Sequence, residues 1–163
     1  MTGLRRAEKE ITDKAEVEAV LREAEVGRLG TCVDGRPYIV PLNFAYQGGK
    51  IYFHGAGEGK KLRDIAENPQ VCFEVDTAEK MPAEGPCDYN YRYRSVIATG
   101  KVRMLHDIDE RADALRIIVE KYAEGKGEEI TLELMERFAT LAVVEIEIEE
   151  MTGKQSQIGR AHV

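Results

Sequence analysis

Chemistry in this chain centres on His54-Gly55-Ala56-Gly57-Glu58-Gly59-Lys60-Lys61, where an apolar strand pattern gives way to glycines and then to a helical pattern carrying two lysines. Backbone N–H groups at the start of a helix lack intrahelical partners and attract an anion. Neighbouring ammonium groups add charge, so this order of residues suits a phosphate. It is not a Walker nucleotide loop, because Lys60 is followed by Lys61 and Leu62 in place of Ser or Thr. Spacing alone equally allows a plain glycine turn with solvated lysines. A second candidate is Tyr93-Arg94-Ser95, in which a guanidinium fork and a hydroxyl would grip phosphate oxygens, although a lone strand arginine is more commonly a surface charge. His54 ends its strand either against a ligand, where a pKa near neutrality suits proton transfer, or as a packed structural imidazole. Only His106 and His162 accompany it, which argues against a histidine metal centre. The sequence has no GxSxG nucleophile elbow, and Cys32, Cys72 and Cys87 lack metal-ligand spacing.

The length of 163 residues favours one domain, with a core over 13–154 and a flexible polar tail over 155–163. A formal net charge of -7 argues against a general nucleic-acid binder, whose affinity for phosphate backbones comes from clustered Lys and Arg. No apolar run approaches the length of a membrane span. The N-terminal MTGLRRAEKE has charge with no apolar stretch after it, so the expectation is a soluble, cytoplasmic protein with no membrane partner. Three cysteines are a poor disulfide framework; Cys32 and Cys72, in strand patterns, are expected to be buried thiols.

The elements that must position these residues lie chiefly between Val26 and Asp76, which reads as three strands joined by two tight turns, then a short helix and a fourth strand. Asp34-Gly35 and Gln47-Gly48-Gly49 supply the turns, because they tolerate the positive φ that tight hairpins require. The second strand runs unbroken to Tyr46, with Tyr38, Val40, Leu42, Phe44 and Tyr46 on one face and Pro37, Ile39, Pro41, Asn43 and Ala45 on the other. Neither face is wholly polar, which suits a closed barrel or an interface. Pro41 cannot donate to a ladder, so it demands an edge or a bulge and leaves backbone groups free for a flat polar ligand. Around this unit the pattern gives a helix capped by Asp13, with Val17, Val20, Leu21 and Ala24 inward, and a helix over 58–68 with Leu62, Ile65 and Ala66 inward. Residues 77–91 read as a loop, and 92–105 as a strand with Gly100 at a bend or bulge. Helices follow Asp107 and Thr131. The final strand, 141–150, has Ala142, Val144, Ile146 and Ile148 inward and Val143, Glu145, Glu147 and Glu149 outward.

Taken in order, Pro37-Tyr38-Ile39-Val40-Pro41, Tyr52-Phe53-His54-Gly55-Ala56, Gly59-Lys60-Lys61-Leu62, Cys72-Phe73-Glu74-Val75-Asp76 and Tyr93-Arg94-Ser95-Val96 before Gly100 resemble the pyridoxamine 5'-phosphate oxidase-like FMN-binding split barrels. Within them the chain is most similar to the branch named for nitroimidazole resistance, over about Glu16 to Lys154. The resemblance implies a mainly β fold with flanking helices, a six-stranded split β-barrel, and a homodimer with two FMN sites at the subunit interface. Carried over by position, it implies that Lys61 and Ser95, helped by Arg94 and next to Lys60, hold the FMN phosphate. The backbone of Val40, Pro41, Leu42 and Asn43 would run along the isoalloxazine ring, and His54 would be the catalytic residue beside it. The implied activity is an FMN-dependent oxidoreductase, with NAD(P)H as donor and nitroaromatic or related small molecules as substrates; the residues that bind pyridoxal phosphate in the true oxidases have no convincing counterparts here. A flavin-binding or sensor protein without turnover is the alternative, and haem or a deazaflavin in the same barrel is a third.

Overall fold

The computed structural model describes residues 6–156. A 3₁₀ turn leads into β1 (Glu10–Ile11) and α1 (Lys14–Glu23), whose N-cap Asp13 accepts from Ala15 N–H at 2.9 Å. Then come β2 (Gly27–Val33), β3 (Arg36–Leu42), β4 (Ala45–Gln47), β5 (Lys50–Gly55) and α2 (Lys60–Glu67). The long pair β6 (Gln70–Lys80) and β7 (Tyr91–Met104) precedes α3 (Ile108–Tyr122), α4 (Leu132–Arg137) and β8 (Ala142–Ser156). Both hairpin turns form as expected, with positive φ at Asp34, Gly35, Gly48 and Gly49.

One antiparallel sheet runs β3-β2-β6-β7-β8-β5-β4, with β1 added to β8, and coils into a split barrel whose hydrogen bonding does not close. Leu29, Phe44, Ile51, Phe53, Phe73, Val75, Val96, Val144 and Ile146 fill its inside, together with Val17, Val20 and Leu21 of α1. Eight strands are present where six were expected. Part of the difference is β1; the rest is a break at Asn43–Phe44 that divides the long second strand into β3 and β4. The break is pinned from far away in the sequence. Phe44 N–H donates to the Tyr122 hydroxyl at 3.0 Å, and that hydroxyl has the carbonyls of Glu25 (2.7 Å) and Phe44 (2.9 Å) as acceptors for its own proton. Lys121 Nζ, seated 3.7 Å from the Phe44 ring centroid, donates to the Ala24 carbonyl.

Other expectations are corrected by what each face meets. Val143 and Glu145 are buried rather than outward, because α3 covers that side of β8 with Leu115 and Ile118, and Glu145 is paired there with Lys50 and Arg103. In α2 it is Asp64, not Ala66, that turns inward with Ile65. Cys32 and Cys72 are exposed, since no helix covers the outer face of β2 and β6. Residues 77–80 extend β6 as a polar ribbon paired with β7, which shortens the loop to 81–90. β8 continues through Gln155 and Ser156, paired with Arg94 and Tyr93, so the tail's first two residues belong to the sheet; the rest of it lies outside the described residues. The Gly100 irregularity is present, with the extra residue, Glu149, on β8, and a Cβ on Gly100 would overlap the Glu147 carbonyl. Among the described residues no helix is long and apolar enough to cross a membrane, and no cluster of metal-ligating side chains occurs.

Candidate functional site

α2 begins without a side-chain cap: Gly59, at φ 138°, holds a backbone turn that other residues rarely adopt, and its carbonyl accepts from Arg63 N–H. The first-turn N–H groups therefore point outward with no capping oxygen from the protein. The two lysines there behave differently. Lys60 Nζ folds back onto Asp64 at 2.7 and 2.9 Å and stands 4.6 Å from the Tyr38 ring centroid. Asp64 also accepts from the Thr31 hydroxyl at 2.9 Å, and these contacts, Lys60 foremost, hold its carboxyl below the usual range. Lys61 makes no hydrogen bond or ion pair among the described residues, and its Nζ lies 3.3 Å from where a Cβ on Gly55 would stand. The loop between is held in place, because a Cβ on Gly57 would overlap the Thr140 carbonyl.

His54 sits beside Gly55 on β5, opposite Val143 of β8. β4 pairs only with Lys50–Tyr52, so β5 has an open edge from Phe53 to Gly55. Phe53 points into the barrel; the imidazole projects from the other face, shared with Tyr52 and Val143, and Lys61 flanks the strand end from the barrel side. His54 has no hydrogen-bond partner among the described residues, and desolvation lowers its pKa, which keeps the ring neutral at neutral pH. β3 is bonded only to β2, so its second edge is free along the segment containing Val40, Pro41 and Leu42. Val40 and Leu42 pack on the core, Pro41 is exposed, and Asn43 Nδ2 donates to the Glu25 carbonyl at 3.2 Å.

Arg94 and Ser95 lie elsewhere. Arg94 turns toward α1 and is ion-paired with Glu23 at 2.5 Å, beside a hollow of about 690 Å³. Ser95 leaves β7 from the opposite face, that of Ile97 and Thr99. Gly55 pairs with Ala142 and Ser95 with Lys154, twelve positions apart on β8, about 40 Å of extended strand. A single chain therefore does not bring Lys61 and Ser95 to one phosphate. The partners that sequence reasoning missed are Thr31, Tyr38 and Asp64; the i, i+4 spacing of Lys60 and Asp64 was the available signal. Another hollow, about 740 Å³ between α1, β4 and α3, is lined by none of these residues, and its arginines are occupied, Arg22 by Glu18 and Arg116 by Asp113.

A split barrel with an open β3 edge and an uncapped, lysine-bearing helix start at the end of β5 defines the class. The family described as pyridoxamine 5'-phosphate oxidase matches residues 13–155, and the chain belongs to it. An uncharacterized protein of Rhizobium meliloti is 24% identical over 156 residues, 91% of this chain and 96% of its own length. Among solved structures, a putative 5-nitroimidazole antibiotic resistance protein from Bacteroides thetaiotaomicron is 27% identical with a TM-score of 0.74, covering 90% of this chain and 86% of that one. A FAD-binding protein from Mesorhizobium loti is 25% identical with a TM-score of 0.60, covering 89% and 96%.

Proposed function

We propose that this chain is a cytoplasmic, homodimeric flavin-dependent oxidoreductase that binds FMN with its phosphate at the start of α2 and its ring along the open edge of β3. The observation that carries this is Lys61: an ammonium without a partner among the described residues, beside outward-facing first-turn N–H groups, in a family whose relatives include a FAD-binding protein. The bound flavin would supply the electron or hydride transfer, with NAD(P)H as donor and a nitroaromatic or related small molecule as acceptor. This chain's residues bind and orient. Val40 to Asn43 would offer backbone groups to the ring, and His54, neutral and without a hydrogen-bond partner among the described residues, would take or give a proton on the substrate side. Ser95 would meet a flavin only across a subunit interface, because its own chain holds it far from Lys61.

Titration with FMN, FAD and riboflavin tests the assignment. Lys61→Ala should weaken FMN on the order of tenfold to a hundredfold and leave riboflavin almost unchanged, as expected for loss of a charge-assisted contact. Equal losses for both ligands would place the phosphate elsewhere. In the same preparations His54→Ala should keep its melting temperature and its bound FMN while its anaerobic reduction rate falls; an unchanged rate would remove His54 from the reaction.

A further inference from the structure

Where β7 hands over to α3, Leu105 and His106 face the turn that joins α4 to β8, and a hollow of about 200 Å³ lies between them with Gly57 also in its wall. Three wall residues have polar side chains, His106, Arg111 and Thr140, and no acidic residue lines it. Arg111, the fourth residue of α3, is only 8% exposed, yet no carboxylate pairs with it among the described residues. Its Nη2 donates to the carbonyls of Phe138 (3.0 Å), Ala139 (3.5 Å) and Leu141 (2.8 Å), which fixes the turn. Nη1 and Nε make no hydrogen bond among the described residues. No fully buried side-chain nitrogen there lacks a partner, so both open on the hollow. A guanidinium is always charged, and taking it out of water is costly unless an opposite charge goes with it. Carbonyl dipoles offset only part of that cost. The start of α3 adds to the imbalance, because a helix N-terminus carries positive partial charge and disfavours a cation. The acids at that helix start are committed elsewhere or face water: Asp107 accepts from Glu110 N–H at 3.1 Å, Glu110 binds Arg103, and Asp109 is exposed.

We propose that the hollow beside Arg111 binds a small anion, a halide or a carboxylate of about the size of formate, on Nη1 and Nε of the buried guanidinium. The Thr140 hydroxyl and the His106 imidazole are the other side-chain donors in its walls. Size limits the ligand: the hollow is smaller than the roughly 300–1,000 Å³ of sites for cofactors and drug-sized molecules, so a flavin does not enter it. The site is also separate from the proposed phosphate position, since no residue of α2, Lys61 included, lines it. An anion here balances the buried charge and fixes the 138–141 turn, whose Thr140 carbonyl is the surface against which Gly57 closes.

Bromide is the direct probe. Crystals of the full chain grown in sodium bromide should show an anomalous peak within ~3.5 Å of Arg111 Nη1 or Nε; no peak there, or one confined to Lys61, would overturn the site. In solution, calorimetric titration with sodium formate, with gluconate holding the ionic strength constant, should show saturable binding in roughly the millimolar range. Lys61→Ala should bind formate as well as the unsubstituted chain does, and loss of binding in that variant would move the anion to the start of α2 and overturn the proposal. Arg111→Met should bind formate at least about tenfold more weakly, as expected for loss of charge-assisted donors. A folded Arg111→Met protein with undiminished formate affinity would sink the assignment. Where that variant fails to fold, the bromide peak on the unsubstituted chain decides by itself.

Discussion

At the start of α2 two adjacent lysines differ because the carboxylate one turn on reaches Lys60 and not Lys61. Lys60 thereby becomes part of the frame, tying α2 to Thr31 and Tyr38, and Lys61 is left without a hydrogen-bond or ion-pair partner among the described residues. The frame has a pH signature. Asp64 is held below its ordinary pKa by Lys60 and Thr31, so its contribution to stability is present above about pH 4 and is lost as pH falls through the lower folded value. Asp64→Asn should therefore melt below the wild type at pH 7, and the gap should close as the buffer is taken below pH 4; a gap constant with pH would show that the ion pair contributes nothing. The positions of His54 near the end of β5 and of Lys61 in the first turn of α2 were legible from the sequence, because strand end, glycines and helix start are local features. Arg94 was not: its partner Glu23 lies 71 positions away, and nothing near Tyr93-Arg94-Ser95 announces it.

Among the elements, the β3–β4 break shows what periodicity omits. Residues 36–47 alternate as one strand, and their faces are the expected ones on both sides of the break, yet the ladder stops at Asn43 because a phenol from the end of α3 takes the Phe44 N–H. Tyr122→Phe leaves that donor unpaired in a buried place, at a cost of about 1–3 kcal/mol. The variant should melt several degrees lower and bind FMN more weakly, since Val40 to Asn43 lead directly into the kink; thermal melts and flavin titration together check it, and an unchanged Tm would show that water replaces the hydroxyl. Caps and turns were readable at Asp13, Asp34-Gly35, Gly48-Gly49, Asp107 and Thr131, where the residue itself makes the contact. Burial of Val143 and Glu145 was not, because a strand's own alternation cannot say that a helix will cover its second face.

Taken whole, the molecule leaves one sheet face uncovered, with Ile39 at 68% and Ile97 at 47% exposure around Pro41 and the Arg28, Glu74 and Asp76 ion cluster. Ser95 shares that face. In the proposed homodimer a second copy seated there would cover the apolar residues and carry its Ser95 toward the first copy's proposed flavin site. Ile97→Glu should accordingly shift the mass by light scattering from dimer to monomer at micromolar concentration, with loss of FMN; a flavin-replete monomer would separate the site from the interface. The same architecture sets a schedule for biosynthesis. β8 hydrogen-bonds to β1, β5 and β7, all of them made earlier, so no sheet can be completed before residues 142–156 leave the ribosome. Until then β5 and β7 wait with bare edges and with Phe53 and Val96 unburied. Stalled synthesis before Ala142 should leave a nascent chain that aggregates or is held by chaperones.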